Sequence, residues 1–301
     1  MVLDSPTNKI HKDPLAFALN ALADIGDIDL ADGQINRASA MRVLPHARRA
    51  WAVLANTVMV ETGTRAAQSL ALVVRCLVMG GHPVNHEDAH NAVDAANWLL
   101  TTMPHSDNEA SSTLLFEARG TAQRVLAPSG AAGTATLEKA AADLLAAAET
   151  RQQTNNPIAI ARTYLEIAEV FSAYAADERG PIVERAVTFA QQAASSLTPS
   201  VDPVAFARCQ LLLSGLLLNH PEMDPHEFAP AALRLADEAL AIVDATATPY
   251  IVARAMLARA HALAITETSG AAQATEQAAA LLDKAGLSSE AHRVRHNRSS
   301  Q

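Results

Sequence analysis

The sequence of 301 residues contains few aromatic residues, few lysines and two cysteines. Phenylalanine, tyrosine and tryptophan together number 11, and alanine supplies much of the apolar half of the chain, as close packing between helices requires. Alternating patterns typical of strands are almost absent. Cys76 and Cys209 lie far apart within apolar helical patterns, which favours buried free thiols over a disulfide. These features predict an all-α protein.

Several functional classes lack their usual sequence signals. No apolar run reaches the roughly 18 residues that a membrane span needs, and the first residues lack the charged start and apolar centre of a signal peptide. The formal net charge of -9 argues against nucleic-acid binding. There is no G-x-S-x-G, no glycine-rich phosphate loop and no cysteine with an evident histidine partner. We therefore expect a cytoplasmic protein without nucleic-acid or membrane partners, and find no support for nucleophilic catalysis.

What the chain does contain is a repeat with a step of 46 residues. The segment Pro157–Arg162 recurs as Pro203–Arg208 and again as Pro249–Arg254. The second half of each copy keeps a small residue at the same step: Ala140, Ala186, Ala232 and Ala278. Apolar residues recur at three- and four-residue intervals in both halves, which predicts two amphipathic helices per copy. The first helix should end at Gly180 and the second should begin at Pro181.

Because a single hairpin cannot bury both of its faces, neighbouring hairpins must stack into an α-solenoid. We expect such repeats over residues 63–286. They would follow a disordered start (1–13) and an N-terminal helical cap (14–62), and precede a basic tail (287–301). End repeats without an effective cap would expose apolar faces, which favours self-association into a homo-oligomer.

The repeat resembles the tetratricopeptide repeat family. Four residues match the large, leucine-like, small and aromatic positions of that family's first helix: Tyr164, Ile167, Ala168 and Phe171. Ala186 and Ala193 match the two small residues of its second helix. The step is 46 residues rather than the usual 34 or so, because extra residues fill the turn and the linker. The resemblance implies a right-handed α–α superhelix whose first helices line a concave groove for a protein or peptide partner.

Three arginines occupy the same position in successive first helices: Arg162, Arg208 and Arg254. Guanidinium groups bind carboxylates and phosphates in bidentate fashion. Together with Tyr164, these arginines would bind an acidic segment of a partner in the concave groove. The alternative is a structural ladder in which they bridge to neighbouring carboxylates such as Glu166 and Asp202.

A second motif indicates metal chemistry. His86, Glu87 and His90 form a literal H-E-x-x-H, in which two histidines on one helix face bind zinc and the glutamate acts as general base. Asn85 as a helix N-cap, followed by acidic residues in the first turn, explains the same segment without metal. A second histidine-rich turn, 220–227, occupies the equivalent place in a later repeat and is interpreted as a solvated turn.

Three functions are therefore open at this point. The first is a protein- or peptide-binding module with a regulatory or scaffold role and no cofactor. The second is a zinc-dependent hydrolase built on the H-E-x-x-H motif. The third is a small-ligand sensor whose apolar cavity is lined by residues such as Trp98 and Tyr164.

Overall fold

The computed structural model describes residues 86–102, 109–128, 131–153, 156–174, 179–220, 222–245, 248–266, 269–284 and 286–298. The expected disordered start (1–13), the expected helical cap (14–62) and the first helix of the first predicted hairpin lie outside the described residues.

Within these ranges the chain forms ten α-helices and no strand. They are α1 (His86–Thr102), α2 (Glu109–Leu126), α3 (Thr134–Gln152), α4 (Pro157–Ser172), α5 (Arg179–Ser196), α6 (Pro203–Leu218), α7 (Pro225–Ile242), α8 (Pro249–Ile265), α9 (Ala271–Lys284) and α10 (Ser288–Arg298). A single 3₁₀ turn, Ala131–Gly133, precedes α3. None of the helices in the described part is long and apolar enough to cross a membrane.

The helices pack in the order in which they occur along the chain. Four hairpins are formed by α2 with α3, α4 with α5, α6 with α7, and α8 with α9. The first helix of each hairpin also contacts the first helix of the next, and among the described residues the second helices make no comparable contacts with one another. The first helices of successive hairpins therefore lie closer together than the second helices, and we call them the inner layer of the stack. The predicted all-α solenoid of helix hairpins is confirmed.

Proline and a short polar side chain set the start of several helices. Pro157, Pro203 and Pro225 each occupy the first turn, where a missing N–H breaks no helical hydrogen bond. The preceding residue caps each helix: the Ala159 N–H donates to Asn156 Oδ1 at 3.0 Å, and the Ala205 N–H donates to Asp202 Oδ1 at 2.9 Å. The repeated proline of the sequence thus marks the repeated start of a helix.

The predicted break within the central hairpin is wrong in position. The first helix, α4, ends at Ser172, and α5 begins at Arg179, so Gly180 and Pro181 both lie inside the first turn of α5. Proline is tolerated there because the first N–H groups of a helix have no intrahelical partner. The pair Gly180–Pro181 therefore opens a helix and does not separate two.

Small residues allow the helices to approach closely. The alanines that recur at the 46-residue step, Ala140, Ala186, Ala232 and Ala278, are all 0% exposed. At Gly120 on α2, an added Cβ would lie 2.8 Å from Leu144 Cγ and 2.9 Å from the Ala140 carbonyl oxygen of α3. Since real Cβ atoms do not approach so closely, glycine is needed for this contact between α2 and α3.

Candidate functional site

The three equivalent arginines have three different environments. Arg162 on α4 donates from Nε to Asp202 Oδ2 at 2.8 Å. Asp202 is 1% exposed and its other oxygen caps α6, so this ion pair fixes the linker between α5 and α6 onto α4. Arg162 therefore serves the packing of two hairpins.

Arg208 on α6 is buried in a network that joins three first helices. Its Nη2 lies 2.7 Å from Glu166 Oε1 and 2.9 Å from Glu169 Oε2, and its Nε donates to Glu169 Oε1 at 3.0 Å. From the other side, Arg124 Nη2 on α2 lies 3.1 Å from Glu166 Oε2 and 3.0 Å from Glu169 Oε2. Two arginines thus hold the two glutamates of α4 between them. We call Arg124, Glu166, Glu169 and Arg208 the inner ion network.

The network fixes the charge state of its members. Burial by itself raises the pKa of Glu169, but attraction to Arg208 and Arg124 and the hydrogen bond from Arg208 outweigh it and lower that pKa to about 2. Burial by itself lowers the pKa of Arg208, and the two glutamates raise it well above its ordinary value. Glu169 and Arg208 are therefore ionised at neutral pH and stabilise each other inside the inner layer.

Arg254 on α8 is the exposed member of the three. Its guanidinium carbon lies 5.9 Å from the ring centroid of Tyr250, and no described carboxylate forms an ion pair with it. Its charge still contributes to the lowered pKa of Glu169, so it lies near the inner ion network. The positions of Glu166 and Glu169 in α4 are taken by Ala258 and His261 in α8, and α8 thus supplies no acid there.

The repeat places an open position beside Arg254, because Gly215 and Arg254 correspond to Glu169 and Arg208, which are in contact one repeat earlier. Gly215 on α6 stands at the position of Glu169 in α4, and a Cβ added there would meet nothing within 4 Å. His261, seven residues after Arg254 and thus on the same face of α8, is exposed. We call Gly215, Arg254 and His261 the inner notch. The inner notch is an open, positively charged surface, and it lies beside the inner ion network, whose four side chains already pair with one another.

Tyr164, predicted to act with the arginines, faces the second helices. Its ring centroid lies 5.4 Å from that of Phe189 on α5, and its hydroxyl accepts a hydrogen bond from Gln152 Nε2 at 2.8 Å. Trp98, which was expected to share a cavity with it, is 42% exposed on α1. The structure therefore places Tyr164 in a contact between helices, apart from the inner notch.

The H-E-x-x-H segment opens α1, which begins at His86, and the predicted N-cap Asn85 lies outside the described residues. The side chains of His86 and Glu87 lie outside the described residues, and His90 is exposed. No group of three or more histidine, cysteine, aspartate or glutamate side chains in the described part of the chain could hold a metal ion.

The second histidine-rich turn lies within the hairpin of α6 and α7 and contacts the preceding hairpin through His220. His220 is 7% exposed, its Nδ1 accepts from the Glu222 N–H at 3.3 Å, and its Nε2 lies 3.7 Å from Glu184 Oε1 on α5. Asp224 caps α7 by accepting from the His226 N–H at 2.9 Å. Packing accounts for His220 and capping for Asp224, while Glu222, Asp224, His226 and Glu227 are exposed, as expected of a solvated turn.

Sequence reasoning missed Glu169 as a partner of Arg208, and Arg124 as a second partner of both glutamates. A signal was present, since Glu166 and Glu169 lie four and seven residues after Arg162 and so share its helix face. Because the first helices stack, that face is also the one that meets Arg208 of the next repeat.

No protein-family model matches the chain, and no curated protein matches it. The resemblance to tetratricopeptide repeats therefore depends on the residue pattern, and what the structure adds to it is the sequential packing of helix hairpins.

Proposed function

We propose that the chain is a tetratricopeptide-like binding module whose inner layer binds an acidic segment of a protein partner at the inner notch. The observation that carries the proposal is the exposure of Arg254 beside the open place at Gly215. In the two preceding repeats the equivalent arginine is already bound by carboxylates of the chain itself. Arg254 is the member of the set whose guanidinium is open to a carboxylate from outside.

The charge around the notch supports an anionic partner. Three arginines, Arg124, Arg208 and Arg254, influence the pKa of Glu169, and the inner ion network contains two glutamates. The surface near the notch thus carries an excess positive charge although the whole chain is acidic. An acidic segment would find local attraction there and repulsion elsewhere, which favours one docking position.

The proposal is tested with labelled peptides of defined charge. We expect a fluorescent hexaglutamate peptide to bind the full chain, and a hexaglutamine peptide not to bind. Arg254→Gln should weaken hexaglutamate binding by about 1 kcal/mol, or roughly fivefold in Kd, as loss of one exposed arginine–carboxylate pair would. Fluorescence anisotropy at low and moderate salt measures both the affinity and its electrostatic part.

Arg234→Gln is the matched control, because the Arg234 side chain is 72% exposed on the second helix α7. If both substitutions weaken binding equally, the peptide is held by net charge and the notch is not the site. If Arg254→Gln changes nothing, the proposal is wrong.

A photo-crosslinking residue at position 261 would identify the partner in cells that make the protein. A crosslinked protein should carry an acidic segment and should be lost in the Arg254→Glu variant. The same residue at the exposed position 241 on α7 should give no such product.

A further inference from the structure

The last helix, α10, carries two histidines whose rings converge. It packs on α9 through Ala291 and through Leu287, the residue just before the helix, which are 0% and 2% exposed. His292 and His296 are four residues apart and exposed on a common face. Their Nε2 atoms lie 2.9 Å apart and their ring centroids 4.1 Å apart.

We propose that His292 and His296 form a bidentate site for a divalent transition-metal ion, with Cu²⁺ favoured over Ni²⁺ and Zn²⁺. Neutral imidazole nitrogens bind such ions at about 2.0–2.1 Å. Two nitrogens that are 2.9 Å apart then subtend about 90° at the ion, the angle between neighbouring ligands in square-planar and octahedral complexes. A tetrahedral ion would need the nitrogens roughly 3.3–3.4 Å apart.

Copper is also favoured by ligand chemistry. Two imidazoles leave the remaining coordination positions to water, so the site is open and its occupancy depends on the strength of each metal–nitrogen bond. That strength rises along the first-row series to Cu²⁺ and falls at Zn²⁺. A site with two protein ligands therefore discriminates between metal ions by the strength of the metal–nitrogen bonds and by the angle between the two ligands.

The charges around the pair both support and oppose a cation. Arg295, which lies between the two histidines in sequence, is held by Asp283 Oδ2 at 2.7 Å and by Glu276 Oε1 at 3.2 Å on α9. The pair also stands in the last two turns of α10, where the helix dipole favours positive charge. The charge of Arg293 on the same helix opposes a bound cation, which again favours the ion that imidazole binds most strongly.

Calorimetric titration of the full chain with Cu²⁺, Ni²⁺ and Zn²⁺ tests the site. We expect His292→Ala and His296→Ala each to weaken Cu²⁺ binding by roughly tenfold or more, because each leaves a single imidazole. The wild-type protein should bind Ni²⁺ and Zn²⁺ more weakly than Cu²⁺. Electron paramagnetic resonance of the Cu²⁺ complex should show two equivalent nitrogen ligands in the wild type and one in either variant.

Two control variants make the result specific. His261→Ala removes an exposed histidine on α8 and should leave Cu²⁺ affinity unchanged. His90→Ala disrupts the H-E-x-x-H segment, which also contains two histidines four residues apart. Loss of Cu²⁺ binding in His90→Ala with retention in His292→Ala would place the ion at α1 and overturn the proposal. Absence of Cu²⁺ binding to the wild type would show that the 2.9 Å contact is only a hydrogen bond between the two rings.

Discussion

Replacing Arg208 by methionine should destabilise the protein severely. Methionine keeps much of the aliphatic volume but removes the guanidinium, which lies within 3.0 Å of both glutamates of α4. Glu166 and Glu169 would then be left in the inner layer with Arg124 as their counter-charge. Breaking a buried ion pair by removing one partner costs about 3–5 kcal/mol, and we expect a loss of unfolding free energy in that range.

Acidification should report on the same network. Glu169 has a pKa of about 2 in the folded protein against an ordinary value of 4.5, so its ionisation contributes about 3 kcal/mol of stability. Because the folded pKa is the lower one, this contribution is complete above pH 4.5 and is lost as the pH falls from 4.5 toward 2. The Arg208→Met variant has lost most of it already, so its stability should fall less than that of the wild type over this interval.

Urea unfolding followed by far-UV circular dichroism measures these differences. The control is Arg234→Met, since Arg234 is exposed and lies 3.8 Å from Glu238 on its own helix. It should change stability by no more than about 0.5 kcal/mol. Combining Arg208→Met with Glu169→Gln removes the one unmatched charge, because Arg124 still pairs with Glu166 at 3.1 Å, and should recover at least half of the loss. An effect of Arg208→Met below about 1 kcal/mol, or no recovery in the double variant, would refute the reasoning.

Three further predictions use the same unfolding assay or a thiol titration. Asp202→Ala should lower the free energy of unfolding by about 1 kcal/mol more than Asp202→Asn, because both variants lose the ion pair but asparagine keeps the N-cap of α6. Asn156→Ala removes only a cap and should lower the free energy of unfolding by about 1 kcal/mol. Gly215→Ala should stabilise by about 0.5–1 kcal/mol, since its Cβ meets nothing within 4 Å, whereas Gly120→Ala should destabilise because its Cβ would lie 2.8 Å from a leucine side chain of α3. The Cys209 thiol, whose pKa burial raises to about 12, should fail to react with a disulfide reagent at mildly alkaline pH in the folded protein and react fully in urea. The other cysteine is replaced by serine for that assay.

Much of the fold could be predicted from the sequence because the repeat and the helical period agree. The 46-residue step identified the first helices by their opening prolines, and α4, α6 and α8 begin at those prolines. The turn inside the hairpin was misplaced because glycine followed by proline was interpreted as an end followed by a start. A helix tolerates both residues in its first turn, so the pair by itself could not fix the boundary.

The candidate site was less predictable, because a repeat step treats every copy alike. It identified Arg162, Arg208 and Arg254 as equivalent, although their partners differ. The acids of α4 are replaced by Leu212 and Gly215 in α6, so the network does not extend from α6 to α8. The partners of each arginine come from the neighbouring repeat. The sequence therefore shows which arginine is exposed only once the stacking of the repeats is known.

The inner ion network also limits how these repeats can be exchanged during evolution. Deleting one unit of 46 residues, 157–202, would join α3 to α6 and bring Arg208 against α2. The positions of Glu166 and Glu169 in the preceding unit are Gly120 and Gln123, so Arg208 would be buried without a carboxylate. Although the copies keep a common length, each has become specific for its neighbour. Unequal recombination at the repeat boundary would therefore yield a chain that keeps the 46-residue step but buries an arginine without a counter-charge.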